Sequence, residues 1–270
     1  ATPPPLFPIG DTHLSDNDGK IQRSLRVCIP AYKGMDLGTV QSLFALREHI
    51  PFALDMIGVA EVAVARTMLA ERALEAGQDF ILWLDSDMVF HPSHFFALHE
   101  ALEKNPNLGL ISGLAVRRDG SNRFCLGWRE GKKGWKPETY VQEKALRLIE
   151  DEENPIKPVD VTGLAFTLMK TEILGKLKQP WFQPAWITNT RKGEEGQPEH
   201  IFFGEDSAFI RRLQDRGYDP SVHFGVHIGH MGDHMYLPPP PPSVKKRMEE
   251  ADGEQPGPQD SNEDTASDGS

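Results

Sequence analysis

A chain of 270 residues, 39% of them apolar, can bury the core of one large domain or two small ones, and none of its apolar runs approaches the ~18 residues of a membrane-spanning helix. The formal charge of −11 is uneven: residues 243–270 hold eight acidic and three basic side chains of the chain's 40 and 29, which leaves 32 acidic against 26 basic, or −6, for the rest. That balance excludes a nucleic-acid module working by bulk electrostatics, although a local basic strip is still allowed.

In chain order, residues 1–22 read as a flexible arm, with Pro3-Pro4-Pro5 followed by Asp, Asn and Gly. They lack a basic segment followed by an apolar core, so they are not expected to be a secretory signal. Leu25 to Pro30 reads as a first strand, with Ala31-Tyr32-Lys33-Gly34 as the loop after it. Apolar residues at Val40, Leu43, Phe44 and Leu46 have helical spacing over 38–49. A strand is expected over 52–58. An Ala-rich helix follows over 61–77, with Gly77 as its terminal glycine.

Phe80-Ile81-Leu82-Trp83-Leu84 is a continuous apolar run, the pattern of a strand covered on both faces, and it leads straight into Asp85-Ser86-Asp87. The first 90 residues therefore alternate β-α-β-α-β, which predicts a parallel sheet with helices on its faces. Further elements are expected as a helix from Pro92 to Lys104, a strand over 108–114 and a strand pair or bent strand around Gly163. A helix begun at Thr171 and running to Lys178, a helix over 204–217 and a last strand over 222–230 complete the domain. Residues 143–153 read as a short exposed helix or mobile loop, and 187–197 as a polar, flexible piece. Five prolines, 238–242, close the globular part, and an acidic tail without structure is expected after them. The domain plan is an arm at 1–22, one α/β domain over 23–236, and a tail over 237–270. Cys28 and Cys125 are too few for a disulfide framework, so a reducing, cytoplasmic setting is expected.

Three features carry chemistry. Asp85 and Asp87 follow the third strand, at the edge where open α/β sheets bind ligands, and two hard carboxylates suit a hard divalent ion that shares its coordination with phosphate oxygens. A turn capped by aspartate is the plainer alternative. Gly204-Glu205-Asp206 opens a helix, where one carboxylate can be a cap and a second can act as a base. His223, His227 and His230 are closely spaced near the end of the domain, and one returning to the aspartates would complete a metal shell.

The ordered set Val27-Cys-Ile-Pro-Ala-Tyr32, Ala65-Arg66, Phe80 to Asp87, Thr162-Gly163, Gly204-Glu205-Asp206 and His-x-Gly resembles the GT-A glycosyltransferases, close to the family 2 type of bacteria and phages, over residues 25–236. The resemblance implies a single α/β domain with a mixed, mostly parallel sheet. It further implies transfer of a sugar from a UDP- or GDP-type donor to an acceptor hydroxyl, with Mn²⁺ or Mg²⁺ on Asp87 and with Asp85 beside the ribose or sugar. It implies Pro30, Ala31 and Tyr32 at the base, Ser86 within the donor loop, Arg66 by the diphosphate, Asp206 as base and Glu205 orienting the acceptor. Thr67 stands where the family has Asn. Two His-x-Gly segments compete, His227-Ile-Gly and His230-Met-Gly, and the second matches better.

Gly163, Trp181 and Trp186 are acceptor-side candidates, together with a basic, aromatic stretch over 117–136 that includes Phe124, Trp128 and Trp135. Those rings suit sugar faces and bases alike, and the plainer alternative is a hairpin core with solvated charges. A glycan, a protein, a lipid carrier or a modified DNA base all remain as acceptors, and inversion is expected if Asp206 is the base. Two other classes compete. A nucleotidyltransferase would need a glycine-rich basic loop after the first strand, which Ala31-Tyr32-Lys33-Gly34 is not, and a non-catalytic sugar-binding module would have no use for the carboxylate set.

Overall fold

The computed structural model describes residues 24–129, 136, 138–192 and 198–253, so the arm at 1–22, Trp135 and the tail beyond 253 lie outside the described residues. The first half alternates as its sequence pattern predicts: β1 (Leu25–Pro30), α1 (Leu37–His49), β2 (Ala53–Ile57), α2 (Val62–Glu75), β3 (Phe80–Leu84), β4 (Met88–Val89), α3 (Pro92–Lys104) and β5 (Leu110–Leu114). β6 (Leu126–Gly127), α4 (Glu138–Ile149), β7 (Ile156–Pro158), β8 (Val161–Thr162), β9 (Phe166–Lys170) and a 3₁₀ turn (Thr171–Lys176) follow. The chain continues with β10 (Ala185–Lys192), β11 (Pro198–Phe203), α5 (Glu205–Gln214), β12 (Ser221–His227), β13 (Gly229–Met231), β14 (Met235–Tyr236) and α6 (Pro242–Gly253).

Seven strands form one mixed sheet in the order β2-β1-β3-β9-β5-β12-β7. β1 pairs in parallel with β2 and β3, and β5 with β12, while β9 runs antiparallel to both β3 and β5, and β7 antiparallel to β12. Five of the seven strands thus point one way, so β1, β3, β5 and β12 all end at the same edge and β9 begins there. This common edge gathers the candidate residues.

The two faces of β3 explain its unbroken apolar run. Phe80, Leu82 and Leu84 pack with Leu43 and Leu46 of α1 and Phe95 and Leu98 of α3. Ile81 and Trp83, pointing the other way, pack with Leu69, Ala70 and Ala73 of α2 and Phe209 and Leu213 of α5. Alternation across a pleated strand sends successive side chains to opposite layers, and both layers are apolar. Alanines at the α2 contact let that helix lie close to the sheet. Its end is a Schellman turn: Gly77 at φ +63° donates to Leu74 O at 3.0 Å and Gln78 to Ala73 O at 3.1 Å, which turns the chain directly into β3.

The structure departs from the sequence pattern in several places, and the helix expected from Thr171 to Lys178 is a 3₁₀ turn over Thr171–Lys176. α4 begins earlier than expected and buries Val141, Ala145 and Ile149 against Trp128, Val222 and Phe224 in a third apolar cluster. Residues 185–192 and 198–203 pair as an antiparallel ribbon, with Trp186 opposite Phe202; it takes in 187–192 of the piece expected to be flexible, whose remainder, 193–197, lies outside the described residues. α6 occupies Pro242–Gly253, where an unstructured tail was expected, and its start is tied down by Ser243 N donating to Glu152 at 2.8 Å. Among the described residues, no helix is long and apolar enough to cross a membrane.

Candidate active site

The loop after β3 is held from both sides. Ser86 O accepts from Asp36 N at 2.8 Å and from Thr39 Oγ1 at 3.1 Å, so the start of α1 fixes the backbone between the two aspartates. Asp36 itself caps α1 through Gly38 N at 2.7 Å. A Cβ at Gly38 would meet Val89 Cγ2 at 2.7 Å, so glycine is what allows this close approach to β4.

On the far side, β4 pairs antiparallel with β13, His230 opposite Met88, and Met231 N donates to Asp87 O at 2.8 Å. This pairing brings the His230 imidazole to Asp87, with Nε2 3.6 Å from Oδ2. His230 Nδ1 lies 2.9 Å from Val116 O, a contact that fixes the ring. His227 does not reach the aspartates: its Nε2 turns back to Phe224 O at 2.8 Å, within an irregularity where β12 slips against β5.

Asp85 and Asp87 have different partners. Asp85 Oδ1 accepts from Arg66 Nη2 at 2.8 Å, and the same guanidinium stands 3.6 Å from Glu205. Arg66 is buried, lies over Trp83 at 5.6 Å, and its Nη1 has no hydrogen-bond partner among the described residues. A buried donor without an acceptor is costly unless a ligand supplies one. Asp87 Oδ2 is held by Arg118 Nη1 at 2.5 Å. Burial pushes the Asp87 carboxyl up, but the hydrogen bond and charge of His230 and the charge of Arg118 outweigh it, so its pKa falls below the ordinary value. Burial pushes His230 down, while its bonds to Asp87 and to the Val116 carbonyl more than reverse that, and its pKa is raised.

The Asp85–Asp87 loop borders two cavities. One, of about 500 Å³, is lined by Pro30, Tyr32, Lys33, Ser86, Asp87 and Arg118, among others. Tyr32 is 60% exposed there, whereas Ala31 packs on the core and its N–H donates to Ile57 O at 2.9 Å. The other, of about 290 Å³, is lined by Arg66, Asp85, Gly163, Glu205, Asp206 and His230, among others. Glu205 and Asp206 open α5, and the Glu205 carboxylate lies 3.6 Å from Arg66. Burial, followed by the Asp206 charge, raises the pKa of Glu205. Asp206 Oδ1 accepts from Ser207 N at 2.6 Å, and its Oδ2 lies 3.8 Å from where a Cβ on Gly163 would stand.

Among the acceptor-side candidates, Trp186 is 69% exposed, with its ring centroid 5.0 Å from that of Phe202. Trp181 is a correction: it is buried, and its indole N–H donates to Leu174 O at 3.1 Å, so its face is closed to any acceptor. Phe182 is buried beside it. Phe124 and Trp128 of the basic stretch are core residues as well, with Trp128 bonded to Pro158 O at 3.2 Å. Arg118 at the aspartates and Cys125 in the smaller cavity were not singled out by sequence reasoning. Burial pushes the Cys125 thiol up to about 12, which keeps it protonated and a poor nucleophile.

The carboxylate and imidazole at Asp87 and His230 are a donor pair suited to a divalent ion, and a guanidinium already stands in at that carboxylate as a positive charge. Among the described residues no three His, Cys, Asp or Glu side chains are grouped to hold a metal, so the remaining ligands would have to be phosphate oxygens and water.

Comparison of the sequence with family models and with curated proteins gives no match. Solved structures are similar in fold. A197 from STIV aligns at TM-score 0.51 and 20% identity over 78% of this chain and 86% of its own. GalNAc-T7, a glycosyltransferase crystallised with UDP, GalNAc and Mn²⁺, aligns at TM-score 0.50 and 12% identity over 78% of this chain. The chain spans 44% of GalNAc-T7. At these identities the likeness shows the fold, and that fold is the GT-A type of mixed α/β sheet flanked by helices.

Proposed function

We propose that this protein is a metal-dependent GT-A glycosyltransferase of the family 2 kind, transferring a sugar from a UDP- or GDP-type donor to an acceptor hydroxyl with inversion. The observation that carries the reading is the pair of cavities divided by Asp85-Ser86-Asp87: cations and an exposed ring on one side, three carboxylates and a buried arginine on the other. A UDP- and Mn²⁺-binding relative of the same fold supports it.

Tyr32 would stack on the base, and Lys33 and Arg118 would face its phosphates. Asp87 and His230 would hold Mn²⁺, which supplies positive charge to the departing diphosphate; an imidazole in the set favours Mn²⁺ over Mg²⁺. Arg66 would present its unpartnered Nη1 to the leaving phosphate and its Nη2 to Asp85, a fixed cation that needs no reorganisation as charge develops. Asp206 would take the proton of the acceptor hydroxyl as that oxygen attacks the anomeric carbon. The bond from that carbon to the diphosphate then breaks, and the nucleoside diphosphate leaves. Glu205, with its raised pKa, would orient the acceptor. Trp186 and Phe202 would offer the acceptor an exposed stacking surface close to Asp206 in the chain.

The test is release of nucleoside diphosphate from a panel of UDP- and GDP-sugars with Mn²⁺. Release with one donor that disappears on chelation supports the reading. Binding of a sugar or nucleotide with no turnover under any donor would instead favour a non-catalytic binding module.

A further inference from the structure

Arg118 and a metal ion want the same atom. Asp87 Oδ2 is the oxygen nearest His230 Nε2, at 3.6 Å, and it is also the oxygen that Arg118 Nη1 holds at 2.5 Å. A divalent ion seated between the carboxylate and the imidazole would take that oxygen and exclude the guanidinium by both space and charge. Arg118 is free to leave. Its side chain is 56% exposed, its partner among the described residues is Asp87, and it lies in the turn at 118–121 that follows β5. It also lines the 500 Å³ cavity, on the side where Tyr32 and Lys33 stand.

Resting on the proposed donor site, we infer that Arg118 is an exchangeable cation. It neutralises Asp87 before the metal arrives, is displaced by the metal, and is then used a second time against the donor diphosphate. A guanidinium suits both roles, because its planar donors match carboxylate and phosphate alike. Displacement also gives the site an order. Metal entering with its nucleotide recovers the lost Arg118–Asp87 contact as an Arg118–phosphate contact, whereas metal entering alone does not. Arg118 thereby couples the two ligands, making the metal bind better when a diphosphate accompanies it.

The experiment is Mn²⁺ titration of the full chain, alone and with UDP, for wild type, Arg118→Gln, Lys33→Gln and Asp87→Asn. Arg118→Gln is expected to bind Mn²⁺ alone about three- to tenfold more tightly, the size of a partly exposed ion pair removed from competition. With saturating Mn²⁺ it is expected to bind UDP more weakly by a similar factor. Lys33→Gln removes the same charge from the same cavity without touching Asp87, so its affinity for Mn²⁺ alone should stay near that of wild type. Equal gains in the two variants would reduce Arg118 to general electrostatics and overturn the inference, as would an unchanged affinity in Arg118→Gln. UDP binding that needs Arg118 but no Mn²⁺ would overturn it too, by making the guanidinium a permanent substitute for the metal. Mn²⁺ binding that survives Asp87→Asn undiminished would instead bring down the donor-site assignment, and that variant separates the two failures. Arg118 is a surface residue, so a thermal melt matching wild type is expected and guards against misfolding.

Discussion

Arg66 Nη2 and Asp85 Oδ1 meet at 2.8 Å, and the same buried guanidinium faces Glu205 at 3.6 Å, so one arginine from α2 ties the loop after β3 to the start of α5. The arrangement gathers two carboxylates, one from the loop after β3 and one from the start of α5, around a single positive charge. Removing that charge would leave Asp85 and Glu205 facing each other in a partly dry space. Arg66→Met is expected to lower stability by about 1–3 kcal/mol, a figure reduced from the fully buried case because Asp85 is 35% exposed. Adding Glu205→Gln should recover part of that loss. Urea unfolding of the two single variants and the double variant measures the coupling; strictly additive losses would refute the shared role.

Asp87 stands apart from Asp85 because its partners are His230 and Arg118 rather than Arg66. Asp87→Asn keeps the shape and removes the charge, and is expected to reduce sugar transfer by ~10²-fold or more. His230→Ala should weaken Mn²⁺ binding, whereas His227→Ala should not, because His227 is engaged with Phe224 O. Mn²⁺ titration followed by electron paramagnetic resonance reads all three variants.

Asp206 and Glu205 are adjacent, and the proposed function gives them different work. Asp206→Asn is expected to leave UDP binding within about twofold of wild type and to lower kcat by ~10²-fold or more, the range for loss of a positioned base. Glu205→Gln should act more on the KM of the acceptor. Calorimetry with UDP and initial rates with a turnover-competent donor separate the two, and unchanged kcat in Asp206→Asn would remove it from the base role.

Two half-buried histidines away from the site give stability a pH dependence. Burial, followed by the charges of His91, His227 and His223, lowers the pKa of His94 to about 3. Burial likewise lowers that of His223 to about 4, against a small opposing pull from its own backbone and Glu100 and a further lowering by His227. Folded values below the ordinary 6.5 mean that the unfolded chain binds protons first as pH falls. Stability is therefore full above pH ~6.5 and declines as pH falls toward 4 and 3, by on the order of 1–2 kcal/mol per histidine at pH 5. Denaturant unfolding at pH 7.5 and 5.0 should show the decline, and His94→Gln should flatten it.

Much of the fold was legible because burial leaves a local signature. The apolar run of β3 marks a strand covered on both faces, the alanines of α2 mark a helix against a sheet, and Gly77 marks where it stops. The aromatic residues were less legible. Trp181 and Trp186 are close in sequence and alike in chemistry, yet one bonds Leu174 O in the core and the other stands exposed on a ribbon. Composition does not encode which side of a ribbon or turn meets the protein. α6 was hidden for a similar reason, since a charged segment opening on the last of five prolines carries no apolar stripe to announce it.

By itself the sequence determined that strands and helices alternate, that the third strand is covered on both faces, and that Asp85 and Asp87 emerge where co-directional strands end. These follow from periodicity and from the direction that a parallel sheet imposes, both of which act over a few residues or one crossover. Only the tertiary structure decided that His230 rather than His227 meets Asp87, that Arg66 takes Asp85, and that Arg118 takes Asp87. Those contacts depend on the antiparallel pairing of β4 with β13, on the slip of β12 against β5, and on the turn after β5. Each is a long-range pairing whose partners carry no mark of one another in the chain.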